Sequence, residues 1–298
     1  MKKLGVLLAA FIVSTVSYSQ LQVSVGSGYA IGSAEMKLGE TVTSTSVENE
    51  YGSYGEGVNF QVRGTYFLNE TFGIDLGVGY LQGTDQTIAD VYVPGYRETD
   101  AIARARAFGG SLSAVYKFTN NIYGRFGALI KVGGKTEAVV SDKNYYVEEP
   151  NTSNPQGTTV AQAFGLPDGS YSQTNYKEDF HGKFPLGFTG ALGYEYDLGS
   201  NFSLFVEAEY YGISLKRKDS ELSEFNTDIV LPDGTVAVQS FYSLDNLPEG
   251  YNKETTYVDE LDQSNTDSSK KLSQKVPYSS FGLNVGITYK FNRSAKKE

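Results

Sequence analysis

The chain has 298 residues, a formal net charge of −10, 33 glycines, 23 tyrosines, 17 phenylalanines, and neither cysteine nor tryptophan. That acidity disfavours nucleic acid as a partner, and the lack of cysteine excludes disulfides and thiolate metal sites. Beyond the first twenty positions no apolar run reaches the ~20 residues a membrane helix needs, so a membrane could be crossed only by strands.

The first nineteen residues read as a secretory signal peptide, 1–19. Lys2 and Lys3 form its charged start and Leu4 to Val13 its apolar stretch. Ser17 and Ser19 are the small residues before a cut at Gln20. Losing the two lysines takes the net charge from −10 to near −12.

Eight segments then alternate apolar and polar residues with period two, the mark of a strand with two different faces. Near 21–32, Leu21, Val23, Val25, Tyr29 and Ile31 stand against Gln22, Ser24, Gly26 and Gly28. Near 56–68, Val58, Phe60 and Val62 oppose Asn59, Gln61, Arg63 and Thr65. Near 71–82, Phe72, Ile74, Leu76, Val78 and Tyr80 oppose Gly73, Asp75, Gly77 and Gly79. Near 102–118, Phe108, Leu112, Tyr116 and Phe118 oppose Ser111, Ser113 and Lys117. Near 121–134, Ile122, Phe126, Ile130 and Val132 oppose Tyr123, Arg125 and Lys131. Near 181–198, Phe184, Leu186, Phe188, Leu192 and Tyr194 oppose Lys183, Thr189 and Glu195. Near 201–216, Phe202, Leu204, Val206 and Tyr210 oppose Ser203, Glu207, Glu209 and Tyr211. Near 276–291, Phe281, Leu283, Val285, Ile287, Tyr289 and Phe291 oppose Ser280, Asn284, Thr288 and Lys290.

The connections alternate in length. Asn69-Glu70, Thr119-Asn120 and Gly199-Ser200 are tight polar turns. Between them run long connections near 32–55, 82–102, 135–179 and 217–275. Aromatic residues mark both ends of the apolar face, as at the two interfaces of a bilayer. The pattern predicts an all-β fold: an eight-stranded antiparallel up-and-down transmembrane β-barrel, with short periplasmic turns and long extracellular loops. Ile229 to Val238, around Pro232-Asp233-Gly234, reads as a hairpin outside the membrane, because Glu221, Glu224 and Asp228 place acid on both faces of its incoming arm. Arg104 and Arg106 share the lipid-facing parity and are expected above the bilayer, where charge is cheap.

The three tight turns, the strand parity and the terminal Tyr289-Lys290-Phe291 resemble the small outer-membrane β-barrel family, of the OmpA-transmembrane, OmpX and OmpW type. The resemblance covers nearly all of the mature chain. It implies the cell outer membrane of a Gram-negative bacterium, lipid and lipopolysaccharide around the wall, and the barrel-assembly machinery as a partner during insertion. In that machinery's terms Tyr289 and Phe291 are the C-terminal insertion signal. The sequence runs on for residues 292–298, expected as a periplasmic tail.

Inward charge is the first candidate site. Arg63, Asp75, Arg125, Lys131, Lys183, Glu207 and Glu209 are expected to form a lumen charge network, with Arg63 nearly opposite Asp75 across the Asn69-Glu70 turn. The interior of eight strands is about wide enough to be filled by its own side chains, which favours a closed lumen. His181 is the only histidine; with no Ser-x-His spacing it does not make a triad. Asp259, Glu260, Asp262 and Asp267 are oxygen donors but lack the calcium-loop spacing of an EF-hand. No cofactor, metal site or catalytic residue is expected.

The long connections are rich in Tyr, Ser and Asn, a composition suited to contact surfaces. Tyr145, Tyr146, Tyr171, Tyr176, Phe241, Tyr242, Tyr251 and Tyr257 are expected to form a protein-binding surface. The expected function is a non-enzymatic outer-membrane barrel acting as an accessory subunit or adhesion-type surface protein. The alternatives are a narrow OmpW-like channel for small or apolar solutes and a rim-sited lipid or peptide hydrolase at His181.

Overall fold

A computed structural model of the chain describes residues 20–146 and 164–291. The expected signal peptide and the expected tail at 292–298 lie outside these residues. Every element described is a strand, in the chain order β1 (Gln20–Gly32), β2 (Met36–Thr43), β3 (Val47–Gly52), β4 (Gly57–Phe67), β5 (Phe72–Gly83), β6 (Gln86–Val93), β7 (Arg97–Lys117), β8 (Ile122–Tyr145), β9 (Tyr171–Gly182), β10 (Leu186–Gly199), β11 (Phe202–Gly212), β12 (Ser214–Val230), β13 (Val236–Ser243), β14 (Glu254–Val258), β15 (Lys270–Leu272), β16 (Lys275–Pro277) and β17 (Ser280–Phe291).

Eight of these strands close into a ring. The antiparallel pairs run β1–β4, β4–β5, β5–β7, β7–β8, β8–β10, β10–β11, β11–β17, and β17 back to β1. Each ring strand therefore neighbours the ring strand that follows it in the chain, and no sheet edge is left within the ring. The hairpin at Ile229 to Val238 belongs to β12 and β13 and lies outside it.

Parity sets the two faces. Leu76, Phe126 and Leu283 on the outer face are 65%, 65% and 60% exposed, whereas inward Asp75, Glu207 and Asn284 are at or below 1%. The tight turns are fastened by their own polar residues. The Asn69 side chain accepts the backbone N–H groups of Thr71 and Phe72, and the Thr119 hydroxyl accepts those of Asn121 and Ile122. At the third turn Asp197 accepts the N–H of Gly199, and Gly199 and Ser200 both take positive φ.

Towards the long-connection end the strands depart from the sequence reading. The segment expected at 181–198 is two strands, β9 and β10, parted at Lys183 to Pro185, where the proline supplies no ladder N–H. The segments expected at 201–216 and 276–291 are likewise divided, at Ile213 and at Tyr278-Ser279. β7 and β8 rise well past the ring and stay paired from Lys117–Tyr123 to Arg97–Asn144.

Much of the long connections is therefore sheet. Beyond the ring the pairing continues β3–β2–β6–β7–β8–β9–β12, with β13, β14 and β16 on the far side of β12. β8 crosses between the two environments through a bulge. Phe108 pairs with Gly133 and Gly109 with Lys131, so Val132 is the extra residue. Below it odd positions such as Tyr123 and Arg125 point inward; above it Thr136, Ala138 and Val140 do. Gly134 makes the crossing possible. Its φ is +93°, and a Cβ there would lie 1.8 Å from the Arg106 carbonyl oxygen.

Candidate functional site

The ring interior is stacked in layers. Nearest the tight turns, Phe67, Val115 and Tyr123 pack together. Above them sits an ionic layer, and at the far rim Tyr54, Ala103, Ala105, Ala107, Ala138, Leu215, Val276 and Tyr278 form an apolar core.

Two carboxylates organise the ionic layer. Arg63 Nη1 donates to Glu207 Oε1 and Oε2 at 2.8 and 2.9 Å. Arg125 Nη2 donates to Glu207 Oε1 at 2.8 Å and to Glu209 Oε1 at 2.7 Å. Tyr123 donates its hydroxyl to Glu207 Oε2 at 2.9 Å. Glu209 also accepts from Thr189 and Tyr211, each at 2.6 Å, and from Asn284 at 2.9 Å. Buried charges need this density of donors to offset the loss of water.

The structure changes three details of the expected network. Arg63 pairs with Glu207 and not with Asp75: the hairpin register sets Arg63 opposite Gly77 and Asp75 opposite Thr65. Asp75 accepts the Thr65 hydroxyl at 2.6 Å and comes within 4.0 Å of Arg125. Lys183 is outside the layer altogether. It precedes the start of β10 and pairs with Asp259 at 2.8 Å, above the ring. Lys131 is inward but apart from the network, its Nζ 5.1 Å from the centroid of the Tyr278 ring. Phe205 completes the layer and was not among the expected inward residues; Arg63 stacks its guanidinium 4.9 Å from that ring. Its odd parity within β11 was the available signal.

Tyr289 and Phe291 stand on the outer face at the end of β17, with ring centroids 4.7 Å apart. Tyr289 also packs on Phe202 at 5.1 Å. At the opposite end Tyr80–Phe108 and Tyr210–Phe281 are similar pairs, at 4.8 and 4.7 Å. Just above that level Arg104 is bound by Glu137 and Asp85, and Lys135 by Glu137 and Asp179.

The aromatics of the long connections pack largely on one another. Tyr176 stacks on Phe225 at 5.9 Å, and Tyr251 abuts both. Burial pushes the Tyr176 hydroxyl pKa well up, and Tyr251 and Glu178 add to the effect. Tyr145 and Tyr171 pair under Lys143. Tyr242 packs on Phe241, and Phe241 on Phe164. Tyr146 is partly buried, and its backbone N–H donates to Ser170. Tyr257 is buried beside Phe180.

His181 Nδ1 lies 2.9 Å from Asp219 Oδ1 across the β9–β12 pair. No hydroxyl bonds to its ring among the described residues. The acidic residues of the last long connection are dispersed. Asp259 is held by Lys183 and Lys216, which keep its carboxyl below the usual range. Asp262 and Asp267 accept from Ser264 and Ser269. Among the described residues no group of three or more potential ligands could hold a metal ion.

Among the described residues no helix is long and apolar enough to cross a membrane. The ring offers the other route. An apolar band exposed around the whole circumference, over a polar and charged interior, inverts a water-soluble fold. A closed ring also satisfies its backbone groups without water. The ring is built as a transmembrane β-barrel. No family model matches the chain, and no curated protein matches it. Among solved structures it is similar to the outer membrane protein OprG from Pseudomonas aeruginosa, at 12% identity over 93% of this chain and 97% of that one, TM-score 0.38. It is similar also to a major outer membrane protein from Thermus thermophilus, at 12% identity over 92% and 99%, TM-score 0.38. Ail, the attachment invasion locus protein of Yersinia pestis, is similar at 8% identity over 92% and 97%, TM-score 0.27.

Proposed function

We propose that this barrel is an eight-stranded, up-and-down, non-enzymatic protein of the outer membrane whose long connections face the exterior and bind another protein, as an accessory subunit or an adhesion-type surface protein. One observation carries this reading: the long connections are built as sheet. β7, β8, β9 and β12 rise beyond the ring as paired strands, which is more structure than a cover for the mouth requires. Connections this long are usually functional or disordered, and sheet with an aromatic interior is not disordered.

The channel reading has less support. Aromatic packing at one end, the Arg63–Glu207–Arg125 layer in the middle and the Tyr54–Tyr278 core at the rim lie in series along the lumen.

Deletion of Glu221 to Leu272 from the native protein, followed by pull-down from detergent-solubilised membranes and mass spectrometry, tests the proposal. The barrel should still assemble, and a co-purifying protein should be lost. If every co-purifying protein remains, the contact role is wrong. In planar bilayers the intact protein should show no stable porin-sized conductance; a conductance that appears on deletion would make the extension a plug.

A further inference from the structure

Within the ring Arg63, Lys117, Arg125, Lys131 and Lys290 have inward parity, as do Asp75, Glu195, Glu207, Glu209 and, beside the third tight turn, Asp197. Lys290 pairs with Glu195 at 2.5 Å. Lys117 lies by the tight turns, over the Phe67 ring. Lys131 is the cation left deep inside. Beyond the Tyr278 ring face it has no ion pair or hydrogen bond among the described residues.

Lys131 borders a cavity of about 130 Å³ between the ionic layer and the rim core. Asn59 and Gln61 line the same space. Asn59 is only 8% exposed, yet neither atom of its side-chain amide has a hydrogen-bond partner, and Gln61 Nε2 has none either. Glu209 lies at the floor, but its oxygens already take bonds from Arg125, Thr189, Tyr211 and Asn284. The remaining lining is mostly apolar side chain and glycine, including Leu129, Gly79 and Gly109.

A half-buried ammonium without a counter-ion, and buried amide donors without partners, are costly unless something answers them. What answers them must be anionic at one end. The rest must be apolar and small, since an engineered apolar cavity of about 150 Å³ takes benzene. We propose that this cavity is a binding site for a small organic monoanion, one carboxylate on an apolar body about the size of a benzene ring. Lys131 and the amide N–H groups of Asn59 and Gln61 hold the carboxylate, and the glycine-lined wall accommodates the body. The site lies below the extension and does not depend on what the extension binds.

Benzoate is the probe, titrated into the full protein in detergent micelles and followed by calorimetry and ligand-observed NMR. Benzylammonium, of like shape and opposite charge, is the control. One saturable benzoate site is expected, with no competition from benzylammonium. Lys131→Met should weaken benzoate at least about tenfold, the worth of one charge-assisted contact. Gly109→Leu should abolish binding by filling the space; a Cβ there meets nothing closer than the Ile130 carbonyl at 3.4 Å. Heat-dependent gel mobility confirms that both variants fold. Absence of saturable binding to the intact protein overturns the proposal. So does equal affinity for benzylammonium, or benzoate binding that survives either substitution.

Discussion

Arg63 and Glu207 are 144 residues apart in sequence and meet at 2.8 Å with both side chains buried. They stand on β4 and β11, between which β1 and β17 intervene in the ring. The pair therefore braces the barrel across its interior and is not a neighbour contact within one hairpin.

Arg63→Ala should be destabilising by roughly 3 kcal/mol, the low end for breaking a buried pair, because Glu207 keeps Arg125 and Tyr123. Urea unfolding in lipid vesicles measures it. The double change Arg63→Met with Glu207→Met should cost less than the two single changes added together. Strict additivity would mean that the two groups do not interact.

Lipid-phase labelling of single-cysteine variants checks the register. Positions Leu112 and Leu283 should react, and Ser111 and Asn284 should not. The reverse pattern would mean that β7 or β17 is slipped by one residue.

Gly134→Ala should be destabilising by on the order of 3 kcal/mol or more, from strain and a clash with the Arg106 carbonyl. Gly95→Ala is the control. Its φ is also positive, but a Cβ there meets nothing within 4 Å, so only the backbone cost, roughly 1 kcal/mol, remains. Thermal shifts of gel mobility compare the two.

Asp259 fastens the end of β14 to Lys183 and Lys216. Its carboxyl is held below its ordinary value, first by the hydrogen bond from Lys183 and then by that from Lys216. A depressed carboxylate contributes above its unfolded pKa and loses that contribution as pH falls through the folded value. Hydrogen exchange in Glu254–Val258 should thus be steady, after correction for intrinsic rates, from pH 7 to about 5. It should quicken only below about 4. Asp259→Asn should show the quickened exchange at every pH.

Alternation in the sequence was enough to locate the ring strands, because each faces two different environments and period two is then enforced residue by residue. Phe72 to Tyr80 and Phe281 to Phe291 show it without interruption. The partner of Arg63 was not legible. Equal distance from Asn69-Glu70 suggested Asp75, but which residues meet across a lumen depends on stagger accumulated around the whole ring. Lys183 shared the parity of the inward residues, yet Pro185 ends the strand that would have carried it inside. The extension was read as loops with one hairpin. Its strands, such as Arg97 to Ile102 and Lys135 to Tyr145, pair with one another far from bilayer level, where both faces carry polar residues and alternation is weak.

The single extra residue at Val132 reverses which side chains of β8 meet the interior, so one continuous strand obeys two opposite hydrophobicity rules along its length. Below it the apolar side chains belong outside; above it Ala138 and Val140 belong inside. The bulge thus works like a crossover in a cable, separating the grammar of the lipid-facing part from that of the exposed part. Sequence drift above Gly134 can reshape the surface beyond the ring without disturbing the apolar wall. Losing that one residue would put both halves of the strand under a single rule and turn one of them inside out.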